Sequence, residues 1–163
     1  MNLPRVLGDS MYLMFMRHGE AEEKKPGISD EERHLTDKGR EDVQLVAKLI
    51  PVKPEAVYSS PLVRAVETAE IVAATHEATL KVVDELHPKL ISLEAIAKLG
   101  IKGNAVLVGH APSINKVISE LIGGGLIKLK AGAVAGVEVS EIKKGGGVLR
   151  FIITPEVARV CFE

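Results

Sequence analysis

The sequence predicts one three-layer α/β/α sandwich, in which helices cover both faces of a central, mostly parallel sheet of about six strands. Three observations predict this fold. Short apolar runs of β type alternate with segments of helical spacing along most of the chain. Two further β-type runs near its end adjoin through a glycine-rich turn, which favours an antiparallel pair. The 163 residues are 46% hydrophobic, and a domain of this length buries about 70% of its unfolded surface.

Four strands are expected in the alternating part of the chain, with a helix after each of them. The strands are residues 11–16, 56–59, 80–83 and 105–108. Thr36 can cap the first helix, and Ser60 with Pro61 suits the start of the second. The third helix spans residues 92–99 and ends before Gly100, and Pro112 opens the fourth.

The last part of the chain departs from this alternation. Residues 133–139 and 148–153 are predicted to be neighbouring antiparallel strands joined through the turn at 143–147. Residues 20–33 form the one long loop of the prediction, and this loop is highly charged. A loop of that length in a compact domain is either functional or mobile.

Composition and charge exclude several classes of function. Lysine and arginine total 21 against 22 acidic residues, so the chain lacks the basic excess of a general nucleic-acid-binding protein. No apolar run approaches the ~20 residues of a membrane-spanning helix. The run at 11–16 also lacks the features of a signal peptide. The single cysteine, Cys161, excludes an intrachain disulfide and a cysteine-rich zinc site, and it fits a cytoplasmic protein.

Candidate catalytic residues follow the predicted strands directly. Ligands of open parallel sheets bind beyond the carboxyl ends of the strands, so these residues are expected on one rim. They are Arg17 and His18 after the first strand, Ser60 and Arg64 after the second, Glu85 after the third and His110 after the fourth. One arginine can bind two phosphate oxygens at once through two parallel hydrogen bonds. A neutral imidazole is a nucleophile, and a carboxylic acid can protonate a leaving group. This set can bind and transfer a phosphoryl group without a metal ion or a cofactor.

Four sequence blocks resemble the histidine phosphatase superfamily, whose fold is phosphoglycerate-mutase-like. The blocks are Arg17-His18-Gly19, the segment from Asp30 through Arg33-His34-Leu35-Thr36 to Gly39, the segment from Ser59-Ser60-Pro61 to Thr68-Ala69, and Val108-Gly109-His110-Ala111-Pro112. They occur in the family's order over residues 12–155. The short length and the Thr154-Pro155 pair look most like the SixA-type phosphohistidine phosphatases. The resemblance implies one domain over residues 1–163, with residues 1–10 as an N-terminal extension or a misassigned start.

The resemblance also implies a role for each residue of the rim. His18 is the nucleophile and becomes a phosphohistidine, while Arg17 and Arg64 hold the phosphoryl oxygens. His110 donates to those oxygens as they gain charge in the transition state. The family's acid is usually a carboxylate after the third strand, and Glu85 is the nearest match.

Structural interpretations stand beside these roles. Arg17 could pair with Glu20 or Glu22, Arg64 could be an ordinary surface arginine, and Glu85 could be a solvated loop carboxylate. Arg33 is expected in a structural ion pair, and substrate binding is the alternative for it. The remaining histidines are interpreted as surface or capping residues, and the glycine runs as turns. These histidines are His34, His76 and His87.

The sequence therefore predicts a metal-independent phosphatase that acts through a phosphohistidine intermediate. The expected substrate is phosphohistidine on a protein, because no insertion is present to enclose a deep pocket for a small molecule. A phosphatase of small phosphomonoesters is the alternative within the class. A non-catalytic module that binds phosphorylated proteins is the alternative from another class, although binding alone does not need His18.

Overall fold

A six-stranded sheet forms the centre of the molecule. The computed structural model describes residues 11–163, and the predicted N-terminal extension, residues 1–10, lies outside them. The strands are β1 (Met11–Arg17), β2 (Ala56–Ser59), β3 (Thr79–Val82), β4 (Ala105–Gly109), β5 (Val134–Val139) and β6 (Gly147–Ile153). Their order across the sheet is β3-β2-β4-β1-β5-β6. Strands β1 to β4 run parallel to one another. Strand β5 is antiparallel to β1, and β6 is antiparallel to β5, the pairing that the sequence predicts.

Helices cover both faces of this sheet and complete the three predicted layers. They are α1 (Asp37–Leu49), α2 (Val63–His76), α3 (Leu93–Lys98), α4 (Ser113–Leu121) and α5 (Pro155–Cys161). Helices α1, α2 and α5 pack on one face, and α3 and α4 pack on the other. Alternate residues of β1 enter the two resulting cores, Met14 on the first face and Phe15 on the second. Because both faces are buried, β1 is a continuous apolar run.

The helix starts agree with the sequence at most positions and differ at two. Thr36 caps α1, since its hydroxyl accepts from the Gly39 amide. The prediction that Ser60 caps α2 is wrong, because the helix begins at Val63 with Leu62 as its N-cap. The Ser60 hydroxyl accepts from the Leu62 amide at 3.3 Å and contacts His110. Helix α5 was not predicted, although Thr154 followed by proline is a start signal. The Thr154 hydroxyl accepts from the Val157 amide.

The parallel register brings the carboxyl ends of three strands level with one another. Val108 of β4 lies opposite Met16 of β1 on one side and opposite Ser59 of β2 on the other. Since the polar residues follow at once in each strand, they emerge side by side at this edge of the sheet.

A close backbone approach holds the segment after β1 against α1. The Glu20 carbonyl oxygen would lie 2.2 Å from a Cβ atom at Gly39, so no side chain fits there without backbone movement. The same carbonyl accepts from the Thr36 amide at 3.0 Å. Gly39 therefore sets the course of the chain just beyond the predicted nucleophile.

We expect Gly39→Ala to lower the free energy of unfolding by ~1–3 kcal/mol, because backbone must move to admit the methyl group. It should also lower phosphatase activity, since the displaced segment adjoins His18. Urea denaturation and turnover of para-nitrophenyl phosphate measure the two effects. Gly103→Ala is the matched control, because its Cβ meets only the exposed Glu55 side chain, which can rotate away. Equal stability of the two variants would contradict the role of Gly39.

Candidate active site

The backbone of His18 is held from three directions. Its amide donates to the Gly109 carbonyl of β4 at 3.1 Å, and its own carbonyl accepts from the Gly132 amide at 3.0 Å. The next amide, that of Gly19, donates to the Thr68 hydroxyl of α2 at 3.1 Å. The sheet, the segment before β5 and α2 together fix the position of this histidine.

The hydrogen bonds of the His18 ring define its tautomer. Nδ1 lies 2.7 Å from the Gly19 carbonyl oxygen, which can only accept, so Nδ1 carries the proton. The lone pair of Nε2 accepts from Arg64 Nε at 3.3 Å. Burial, foremost, lowers the pKa of His18 to about 4, and the nearby guanidinium groups of Arg64 and Arg17 lower it further, while the hydrogen bond to Gly19 opposes this. At pH 7 the ring is neutral, with Nε2 as its nucleophilic atom.

Arg64 is buried in the first turn of α2 and binds Asp30 of the long loop. Nη1 donates to the Asp30 carbonyl at 2.7 Å, and Nη2 donates to its carboxylate at 3.2 Å. The other carboxylate oxygen pairs with Arg33, which confirms the expected ion pair. Burial raises the pKa of Asp30, but Arg64 and Arg33 outweigh burial and the net direction is down. Asp30 thus takes one hydrogen bond from each Nη atom, and an oxyanion that binds Arg64 shares the guanidinium group with Asp30 or displaces it.

Arg17 lies at the end of β1 with part of its guanidinium group unpaired. Nη1 donates to the Leu129 carbonyl at 3.0 Å, whereas Nε is buried and has no partner. Within residues 11–163 Arg17 forms no ion pair, so the alternative pairing with Glu20 or Glu22 is wrong. Burial lowers its pKa, yet a guanidinium stays charged at neutral pH.

His110 is buried beside the predicted nucleophile. Its Nε2 lies 2.8 Å from the Ser60 hydroxyl, and the centre of its ring lies 5.1 Å from that of His18. Burial, foremost, lowers its pKa to about 3, and His18 and Arg64 contribute to the same shift. His110 is therefore also neutral at pH 7.

Two unpartnered buried atoms distinguish this rim from the rest of the molecule. Among the described residues, Arg17 Nε and His110 Nδ1 are the buried side-chain polar atoms without a hydrogen-bond partner. Leaving a buried polar group unpaired costs ~1–3 kcal/mol, and native proteins carry few such groups. Because both belong to neighbours of His18, the arrangement indicates that a polar ligand binds here.

Glu85 does not join the contacts that link the other predicted residues. It lies in the one-turn 3₁₀ helix Asp84–Leu86 after β3 and is half-buried. It forms no hydrogen bond or ion pair with any residue that the structure describes. The structure thus brings His18, Arg64 and His110 together with Arg17 and places Glu85 apart from their network.

His87, interpreted from the sequence as a surface or capping residue, is the C-cap of the short helix Asp84–Leu86. Its side chain is only 22% exposed, and its Nε2 lies 3.9 Å from the Glu31 carboxylate. Its Nδ1 accepts from the Lys89 amide at 3.1 Å, so a proton on the neutral ring belongs to Nε2. The charge of His87 also contributes to the lowered pKa of His110. No motif spacing marks this residue, because it reaches the site through the packing of two loops.

The other two histidines lie outside this network. His34 is exposed and hydrogen-bonds to Glu67, which agrees with the predicted surface position. His76, at the end of α2, hydrogen-bonds to the Ala47 carbonyl of α1 at 2.7 Å.

Residues 11–163 contain no group of three or more histidine, cysteine or acidic side chains arranged to hold a metal ion. In the same part of the chain, every helix is too short or too polar to cross a membrane.

Comparisons with known proteins identify the family and fold. A family model for the histidine phosphatase superfamily (branch 1) matches residues 13–88. An uncharacterized protein of Picosynechococcus sp. is 30% identical, and the match covers 76% of this chain and 87% of that protein.

Solved structures resemble nearly the whole described chain. The protein histidine phosphatase SixA complexed with tungstate has a TM-score of 0.76 at 27% identity, covering 89% of this chain and 97% of that chain. The α-ribazole phosphatase of Shigella flexneri has a TM-score of 0.68 at 18% identity, with coverage of 89% and 97%. These likenesses confirm the predicted phosphoglycerate-mutase-like fold.

We expect the free energy of unfolding to fall as the pH decreases from about 6.5 towards 4. The unfolded chain binds protons on His18 and His110 near their usual pKa of about 6.5, whereas the folded protein does so only near 4 and 3. The stabilisation is complete above pH 6.5 and is lost as both folded pKa values are approached. Urea denaturation between pH 4 and 8 measures the slope. His110→Gln should reduce it and the control His76→Gln should not, and equal slopes in all three proteins would contradict the assignment.

Proposed function

Because the chain belongs to the histidine phosphatase superfamily, we propose that it is a metal-independent phosphatase that forms a phosphohistidine on His18. The pair of unpartnered buried atoms on Arg17 and His110 is the observation that supports this most directly. They flank a neutral histidine whose Nε2 carries a lone pair. A phosphoryl group would supply acceptor oxygens to the arginine and would stand in line with the nucleophile.

The reaction has two steps. In the first, Nε2 of His18 attacks phosphorus, the bond from phosphorus to nitrogen forms, and the bond to the leaving group breaks with its electron pair. Arg17 and Arg64 stabilise the equatorial oxygens, and His110, whose Nε2 contacts the Ser60 hydroxyl, donates to them from Nδ1. In the second step water attacks phosphorus, loses a proton to solvent, and releases inorganic phosphate and neutral His18.

Phosphohistidine on a protein is the proposed substrate class. Likeness to SixA at 27% identity supports it, since that protein is a protein histidine phosphatase. Likeness to the α-ribazole phosphatase is the reason to keep a small phosphomonoester as the alternative substrate class. The site lies at an edge of the sheet, and residues 11–163 contain no inserted domain above it, which favours a large substrate. The cytoplasmic location inferred from the single cysteine stays a prediction.

The intermediate on His18 is directly testable. Brief incubation with ³²P-labelled phosphohistidine protein should label the enzyme through a bond that acid cleaves and base does not, and exhaustive chelation should leave this labelling and the turnover unchanged. The two arginines supply the positive charge that a metal ion would otherwise provide. His18→Ala should abolish labelling, and His34→Ala, a surface histidine, is the control. Label that persists in His18→Ala would overturn the assignment.

The leaving group decides how far a proton donor matters. An alkyl phosphate expels a basic alkoxide, for which general acid catalysis is worth ~10²–10⁴-fold. Phosphohistidine expels an imidazole whose conjugate acid has a pKa of about 6.5, so solvent can protonate it. A phosphohistidine phosphatase can therefore function without a carboxylate that is hydrogen-bonded to the site residues, and among the described residues Glu85 makes no such bond.

If Glu85 is the acid, Glu85→Gln should slow alkyl phosphate hydrolysis at least ~10²-fold and phosphohistidine hydrolysis much less. Parallel assays of kcat/KM on both substrates measure the difference. His87→Asn is the matched comparison, because His87 also follows β3 and carries a proton on Nε2 that it could donate to a leaving group. Equal small losses on both substrates in Glu85→Gln would remove Glu85 from the mechanism.

A further inference from the structure

A groove of about 650 Å³ adjoins the site on the side of α4. One wall contains Ala111 and Pro112, which directly follow His110, together with Pro88. The opposite wall is the run 125–128, which directly precedes Leu129. Because the Leu129 carbonyl accepts from Arg17, both walls are continuous with residues of the proposed site.

The groove offers apolar contact more than hydrogen bonding. Leu126 is 82% exposed on its wall, beside the prolines and Ile127. The neutral polar side chains of the lining are already bonded to the backbone. Ser113 donates to His110, Asn115 accepts from Leu129, and Ser119 donates to Gly125. A small-molecule site needs a few converging polar groups that orient the ligand, and here each of these three side chains already makes a hydrogen bond within the protein.

The groove and the acidic segment, residues 20–32, carry opposite charge. Lys116 and Lys128 line the groove, are exposed, and form no ion pair with the described residues. The acidic segment carries six carboxylates and two lysines. Its Asp30 contacts Arg64, so the segment reaches the edge of the site. A substrate thus meets the positive charge of the two lysines along the groove and the negative charge of the acidic segment at the site.

We propose that the groove binds the polypeptide segment next to the phosphorylated side chain of a protein substrate. A bulky apolar side chain of that segment packs against Leu126 and Pro112, and acidic side chains pair with Lys116 and Lys128. This assignment rests on the proposed phosphatase function and adds the sequence context that the enzyme selects.

Three phosphohistidine peptides of equal length test the assignment. Their flanking residues are Leu-Asp-Glu, Leu-Lys-Lys and Gly-Ser-Gly. The wild-type protein should hydrolyse the first with the highest kcat/KM, about tenfold above the second, because exposed ion pairs contribute up to ~1 kcal/mol each. Turnover of para-nitrophenyl phosphate, which carries no flanking chain, serves as the reference for the catalytic step.

Charge reversal separates a binding role from a structural one. The double variant Lys116→Glu/Lys128→Glu should prefer the Leu-Lys-Lys peptide over the Leu-Asp-Glu peptide and should retain para-nitrophenyl phosphate turnover. Leu126→Ser should lower kcat/KM for both leucine peptides and leave kcat/KM for the Gly-Ser-Gly peptide unchanged. Lys102→Glu is the matched control, because this exposed lysine precedes β4 at the opposite edge of the sheet.

Equal kcat/KM for the three peptides in the wild-type protein, with normal para-nitrophenyl phosphate turnover, would overturn the groove assignment and leave the phosphatase function intact. Absence of turnover on every substrate would instead overturn the proposed function. In that case, fluorescence anisotropy with peptides carrying a stable phosphonate analogue of phosphohistidine decides about the groove. A flank preference that reverses in the double variant supports the assignment, and equal affinities overturn it.

Discussion

Parallel pairing of β1, β4 and β2 is the constraint on which the site depends, because it aligns three strand ends at one edge of the sheet. A polar residue follows the end of each of these strands within one or two positions. The His18 amide donates to the Gly109 carbonyl at the end of β4, which holds the proposed nucleophile beside the strand that His110 follows. A slip of one residue in either register would move these side chains to the opposite face. The buried core on both faces prevents such a slip.

Burial and positive charge act together on the chemistry of this edge. Both histidines lose proton affinity chiefly because they are buried, and the adjacent guanidinium groups add to the effect. The neutral form of His18 is the nucleophilic one, so the same environment that destabilises its cation prepares it for reaction. Asp30 offsets part of the positive charge by pairing with Arg64. The free protein thereby holds a carboxylate and a carbonyl oxygen of Asp30 against the guanidinium group of Arg64.

Two features of opposite charge border the site. The acidic segment is held in place through Asp30, Arg33 and a bridge between Ala21 and Leu35. The groove along α4 presents apolar surface with two lysines that form no ion pair with the described residues. Electrostatic complementarity of this kind governs partner choice and association rate more than it governs the chemical step.

Pattern in the sequence determined the order of strands and helices, because apolar periodicity reports burial directly. The six strands were located to within about one residue, and Arg17, His18, Arg64 and His110 were singled out because each follows a strand or opens a helix. Helix α5 was missed although Thr154 and Pro155 announce it, since only one turn and a half of apolar spacing follows. The sequence therefore locates well those residues that directly follow a strand or begin a helix, because local apolar spacing marks where these elements start and end.

Tertiary structure alone decided the contacts between segments distant in sequence. Ser60 has the chemistry of a helix cap, yet its proximity to His110, fifty residues away, makes it a partner of that ring instead. Asp30 on Arg64, His87 beside Glu31, and the separation of Glu85 from the network likewise arise from how loops pack over the sheet edge. Such packing depends on the summed shape of many side chains, and no local spacing records it.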